Sequence, residues 1–156
     1  MEYKPMADVR YLIVHCSASP GTLDVGAKEI DLWHRQRGFF MIGYHKVIRR
    51  NGVIEDGRKL DQPGAHVSGY NQFSIGICLV GGTDAHEVPE NNFTPEQFST
   101  LRQLLTDLRV KFPRAEILGH RDIPNVAKAC PSFDVRSWLI AVDGPATLPA
   151  PTVSAT

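Results

Sequence analysis

The chain reads as an α/β protein, and three observations carry that reading. Strand-like apolar runs and helical stretches alternate along its 156 residues. Two of the runs, at 9–15 and 74–80, are continuous enough to be buried central strands. One helical stretch has a complete start signal, Thr94-Pro95-Glu96-Gln97, followed by apolar residues at helical spacing.

A chain of this length fits a single domain with a proper core. Its 17 basic residues balance 17 acidic ones. Nothing in that balance suggests a non-specific nucleic-acid binder, which needs a basic excess. No apolar run approaches the roughly 20 residues that span a bilayer. The N-terminus, Met1-Glu2-Tyr3-Lys4-Pro5-Met6, has no apolar signal core. The expectation is synthesis in the cytoplasm, no membrane insertion, no nucleic-acid partner and a monomer. Cys16, Cys78 and Cys130 are odd in number and scattered, which argues against a disulfide framework.

Val9 to His15 is the first strand, and it runs into the polar turn-rich segment Cys16-Ser17-Ala18-Ser19-Pro20-Gly21. A site-type residue where a buried strand meets a loop is a common location for function in open sheets. Asp24 is positioned to cap a first helix that ends near Arg37, with Gly38 as its stop and Ile30 and Trp33 facing the sheet. Gly43 to Arg49 reads as a strand, Asn51-Gly52 as a hairpin turn, and Val53-Ile54-Glu55 as the return. Tyr44 and His45, as neighbours in a strand, point to opposite faces, so at most one reaches a given site.

Residues 56–72 form a long irregular connection, a type that is often functional. Ser74 to Val80 is a buried strand with Cys78 as a core residue. The Thr94 helix puts Phe98, Leu101, Leu105, Leu108 and Phe112 on one face, with Phe93 and Phe98 stapling its start and Pro113 stopping it. Ala115 to Leu118 is a short strand. Ser132 begins a last helix, with Val135, Trp138, Leu139 and Val142 inward and Gly144-Pro145 as its end. The organisation is an N-terminal segment 1–8, one domain 9–144, and a flexible Pro/Ala/Thr-rich tail 145–156.

The chemistry concentrates in Gly119 to Asp134, which holds His120, Lys128 and Cys130 between two prolines. Histidine and cysteine are preferred zinc ligands, and three of them leave a position open for water, as catalytic zinc requires. His15 is the obvious third donor, although a strand-end histidine can equally be a satisfied surface group. Lys128 is either an exposed loop lysine or a donor to an oxyanion. Tyr44 is either sheet packing or a hydrogen-bond partner of an attacking water. His66 either fixes its Gly-rich loop or touches substrate. His34 and His86 read as bland, His45 as packed beneath the sheet, and Asp122 as a loop-shaping residue.

Several segments then agree in order with one family. They are Val14-His15-Cys16-Ser17-Ala18, Gly43-Tyr44-His45, Gly64-Ala65-His66 through Gly69-Tyr70-Asn71, Ser74 to Gly82, Asn92-Phe93-Thr94-Pro95, and Lys128 to Asp134. Together they closely resemble the type-2 N-acetylmuramoyl-L-alanine amidases, whose fold peptidoglycan recognition proteins share. The resemblance covers about residues 9 to 142.

It implies a central mixed sheet of about five strands flanked by about three helices, with a zinc cleft on one face. It implies a zinc hydrolase that cuts the amide between N-acetylmuramic acid and L-alanine of bacterial peptidoglycan, as a phage or prophage endolysin released through a holin-type route. Carried over by motif, His15, His120 and Cys130 hold zinc, Tyr44 assists the water, Lys128 stabilises the oxyanion, and His66 and Asn71 lie along the substrate groove. The loop between His120 and Cys130 is longer than expected for one phage lysozyme of the family, and the Arg121-Asp122 that follows the His is a pattern common in other amidases of the group. A peptidoglycan-binding protein that does not cut is the alternative, and its relatives typically lack the cysteine ligand. A phage RNA polymerase as a regulated partner is the third, as for one phage lysozyme of the family, although the short N-terminal segment here differs.

Overall fold

The computed structural model describes residues 5, 6 and 8–143. Its elements are β1 (Tyr11–Cys16), β2 (Ser19–Pro20), α1 (Ala27–Gln36), β3 (Lys46–Ile48), β4 (Ile54–Asp56), β5 (Ser74–Leu79), β6 (Gly82–Thr83), α2 (Pro95–Lys111), β7 (Glu116–Gly119) and α3 (Val135–Asp143). Five strands form the central sheet in the order β4-β3-β5-β1-β7. Only the β3–β4 pair is antiparallel, so the sheet is mixed as expected. β2 and β6 make a separate small parallel pair. No described helix is long and apolar enough to cross a membrane.

β1 is an interior strand, between β5 and the edge strand β7, and both neighbours run parallel to it. A strand covered on both faces has no solvent side, which explains its unbroken apolar run. Alternate residues serve the two faces. Leu12, Val14 and Cys16 pack with Ile75, Ile77 and Leu79 against α2 and α3. Ile13 joins Val67, Leu118 and Ile123 on the opposite face. That second face also receives α1, through Ile30 against Val47, Cys78 and Val80. The carboxyl ends of β1 and β7 therefore open at the same sheet edge, which is where parallel sheets place their sites.

The start of α2 matches its sequence signal. Thr94 Oγ1 accepts from the Gln97 amide at 3.1 Å, and Gln97 Oε1 accepts from the Thr94 amide at 3.0 Å. The Phe93 and Phe98 rings lie 6.0 Å apart as the staple requires. Gln97 does more than close the box. It is fully buried, and its Nε2 donates to the carbonyls of Ile48 at 3.1 Å and Val80 at 2.9 Å. It thus ties the helix start to the ends of β3 and β5. Gln97→Ala is expected to destabilise the protein by about 2 kcal/mol, the cost of leaving buried partners unmet. A urea titration measures it, and an unchanged midpoint refutes the tie.

Four local expectations need correction. Asp24 is not the cap of α1; Gly26 is, and Glu29 Oε1 accepts its amide at 2.7 Å while Glu55 Oε1 accepts that of Ala27 at 2.8 Å. A carboxylate inside the helix and a distant one from β4 share the role expected of Asp24. Ser132 does not begin α3, since its φ of 73° is left-handed; Asp134 Oδ1 takes the Ser137 amide at 3.1 Å instead. Val142 points outward, 41% exposed, while Val135 and Leu139 are buried. The strand expected from Gly43 begins only at Lys46. The helix end expected at Gly144-Pro145, the tail 145–156 and most of segment 1–8 lie outside the described residues.

Candidate metal centre and cleft

His15 sits near the end of β1, fully enclosed, on the face that carries Ile13. His120 follows β7 directly and opens a short 3-10 turn, His120–Asp122. Because β1 and β7 are parallel neighbours, the two imidazoles meet, with ring centroids 4.5 Å apart. Asp122 shapes this turn as expected: its Oδ2 accepts the Gly119 amide at 2.8 Å. The chain then folds back through a turn at Ile123–Val126, and Asn125 has φ 67°. Ile123 and Val126 pack against Ile13, Val67, Leu118 and Tyr70. That contact gives the longer loop an anchor of its own. The loop returns by an Arg121 amide to Cys130 carbonyl bond of 2.8 Å, which sets Cys130 beside His120.

The ligand atoms of His15, His120 and Cys130 all lie within 4.8 Å of one another, the one such group of three among the described residues. The Cys16 amide donates to Cys130 Sγ at 3.1 Å, and a backbone donor favours negative charge on sulfur. Two imidazoles and a thiolate suit a borderline-soft divalent cation such as zinc. The donor set and its spacing thus fit a metal ion held by these three residues.

The electrostatics of the two imidazoles agree. Burial, then the neighbouring His66, His120 and Lys128, hold His15 well below its ordinary pKa. Burial and Lys128 lower His120. Both imidazoles are therefore neutral near pH 7, as ligation requires. The neighbouring Cys16 and Cys130 thiols shift each other: Cys16 is drawn to about 7 against its burial, while Cys16 and burial push Cys130 up, so the thiolate at Cys130 would be drawn out by the bound cation itself. Cys16 itself packs on the α2 face of β1, as its place in the strand predicts.

Around this group runs a cleft of about 490 Å³. Its walls include Tyr44 and His34 on one side, His66 and Asn71 on another, and Lys128 on the 120–130 loop. The Tyr44 ring lies tilted 5.1 Å from that of His15, while His45 turns away, accepting from the Gly76 amide at 3.0 Å and donating to Gln62 O at 2.7 Å. Burial keeps the Tyr44 phenol protonated, raising its pKa well above 10. Lys128 is exposed at the cleft mouth. Asn71 Oδ1 accepts the amides of His66 and Val67, each at 3.0 Å, and so shapes the loop at the cleft edge. The His66 ring reaches behind His15, its Nδ1 2.8 Å from His15 Nε2.

His34, read as bland from sequence, is a second-layer support. It is buried in α1, its Nδ1 accepts the Gly43 amide at 2.9 Å, and its ring lies 5.3 Å from that of Tyr44. The only local hint was its position on the inner face of α1, one residue after Trp33.

Buried neutral histidines also set an acid limit. Burial lowers His45 to about 4, whereas an unfolded histidine titrates near 6.5. The unfolded chain takes up the proton first, so the stabilisation is complete above pH 6.5 and is lost as pH falls toward 4. His45 alone accounts for up to about 3 kcal/mol. Thermal melts of metal-free protein should show Tm falling below pH 6.5, with a shallower fall for His45→Gln; a flat Tm down to pH 4.5 contradicts this.

The fold and the cleft define the class. The family model for N-acetylmuramoyl-L-alanine amidases matches residues 5–133, and the chain belongs to that family. Within it, the chain is similar to phage endolysins almost from end to end. The endolysin of Klebsiella phage KP32 is 46% identical over 138 residues, covering 88% of this chain and 90% of that one. The endolysin of Escherichia phage T7 is 41% identical over 138 residues, with the same coverage of 88% and 90%. Among solved structures, the N-acetylmuramoyl-L-alanine amidase LysC from Clostridium intestinale superposes with a TM-score of 0.73 at 25% identity, covering 91% of this chain and 93% of LysC. The chain is an amidase of the endolysin type.

Proposed function

We propose that the cleft hydrolyses the amide between the lactyl group of N-acetylmuramic acid and L-alanine, with zinc held by His15, His120 and Cys130. The convergence of these three side chains from β1, from the end of β7 and from the loop before α3 carries the reading. A zinc ion in such a site lowers the pKa of bound water toward 7 and polarises a carbonyl oxygen.

The chain's own residues supply the rest. The Tyr44 phenol, kept neutral by burial, holds a hydroxyl beside His15 to orient the attacking water rather than to act as a base. The Lys128 ammonium, at the cleft mouth, meets the negative charge that develops on the amide oxygen. Among the described residues the cleft lining contains Arg37 and Lys128 and no carboxylate, which suits a stem peptide bearing carboxylates. His66 and Asn71 line the same cleft, and the substrate would pass over the loop that they shape.

The reading is tested by digesting purified peptidoglycan and analysing the products by mass spectrometry. Free stem peptides that begin with L-alanine, together with intact glycan strands, are the expected result. Cleaved glycan, or wall binding with no released peptide, overturns it; the latter outcome is that of a peptidoglycan-binding protein that does not cut.

A further inference from the structure

The His66 ring occupies a slot made by two glycines. A Cβ at Gly64 would stand 2.6 Å from its Cδ2, and one at Gly76 would stand 2.7 Å from its Cγ and 2.8 Å from its Nδ1. Any side chain at either position would displace the ring. So enclosed, the ring has a partner at each nitrogen: His15 Nε2 at 2.8 Å from Nδ1, and Ser74 Oγ at 3.2 Å from Nε2.

The direction of every proton in this chain follows from its far end. Ser74 Oγ lies 2.8 Å from the carbonyl oxygen of Tyr70. A carbonyl only accepts, so the single Ser74 hydroxyl proton points to it; two oxygens that close with no proton between them would repel. Toward His66, Ser74 can then only accept, so His66 carries its proton on Nε2. A neutral imidazole has one N–H and one lone pair, which leaves a lone pair on His66 Nδ1. The proton between the two histidines therefore sits on His15 Nε2. The lone pair of His15 is on Nδ1, the nitrogen not engaged by His66.

We infer that His66 and Ser74 are positioning residues that set the tautomer and ring orientation of His15, so that Nδ1 is presented as a metal ligand. Run in reverse, the chain would put the proton on His15 Nδ1 and block ligation. The inference rests on the metal-site reading above. Partners of this kind are typically worth 10–100-fold in metal affinity.

Zinc affinity measured by competition with a chelator tests it on wild type, His66→Ala, His66→Asn, Ser74→Ala and, as a control on the site itself, Cys130→Ser. Long-range 1H–15N spectra of the metal-free wild type and Ser74→Ala read the His15 tautomer directly. His66→Ala should lose affinity by about 10–100-fold. His66→Asn, which sets an accepting oxygen close to the place of Nδ1, should recover most of it. Ser74→Ala should lose less than His66→Ala and show a mixture of His15 tautomers, where wild type shows the Nε2–H form. If His66→Ala does not fold, the asparagine and Ser74 variants and the wild-type spectrum decide. A wild-type His15 protonated on Nδ1 overturns the inference. So does unchanged zinc affinity in His66→Ala and Ser74→Ala while Cys130→Ser loses zinc, and that result leaves the metal site standing. Unchanged affinity in Cys130→Ser removes the metal-site reading and the inference with it.

Discussion

Cys130→Ser is expected to lose zinc and wall-lytic activity together. Serine keeps the size of the side chain but offers a hydroxyl that is not deprotonated at neutral pH, and a three-ligand site has none to spare. Cys130 is also the ligand that the loop must carry to the other two, since His15 and His120 follow adjacent parallel strands. Loss of the ion removes several kcal/mol of charge stabilisation, so activity should fall by about 1000-fold or more. Metal analysis of purified protein, alongside turbidity loss of a cell-wall suspension, measures both. A Cys130→Ser variant that keeps its zinc and its activity shows that another residue ligates.

Lys128→Ala is expected to separate the two properties. The side chain is exposed and lines the cleft without belonging to the ligand group. Removing it should leave zinc content and thermal stability unchanged. Activity should drop by about 100–1000-fold, as for loss of one oxyanion donor. Lys128→Arg, which keeps the charge but moves it, should recover part of the loss. The informative measurement is kcat at saturating substrate in fully zinc-loaded protein. Zinc loss in Lys128→Ala would instead assign Lys128 a structural role in the 120–130 loop.

The candidate ligand group was readable because each member sits beside a strong local signal. His120 follows a short apolar strand, Cys130 precedes a proline, and His15 ends a buried run. The start of α2 was readable for the same reason, since a capping box and its staple involve residues within a few positions of each other. Errors fall where the fold, not the local pattern, decides a residue's surroundings. Asp24 is the acid just before α1, but Glu29 within the helix and Glu55 from β4 satisfy its first amides. Val142 keeps helical spacing with Val135 and Leu139, yet α3 presents it to solvent. His34 and His66 carried no pattern that distinguishes them from packing histidines, and each acquires its role from a neighbour: Gly43 and Tyr44 for His34, His15 and Ser74 for His66.

The sequence by itself thus determined most of the elements, the family and the candidate ligand triad, because periodicity, caps and motifs are local properties of the chain. Only the tertiary structure decided that His15, His120 and Cys130 meet and that Tyr44 rather than His45 faces them, and only it carries the inference about which nitrogen of His15 is free. Those outcomes depend on strand order, on the pairing of β1 with β7, and on a hydrogen-bond chain from His15 through His66 and Ser74 to the carbonyl of Tyr70. A proton's position along such a chain is set at its last acceptor, and here that acceptor lies 55 positions from the histidine whose lone pair it directs.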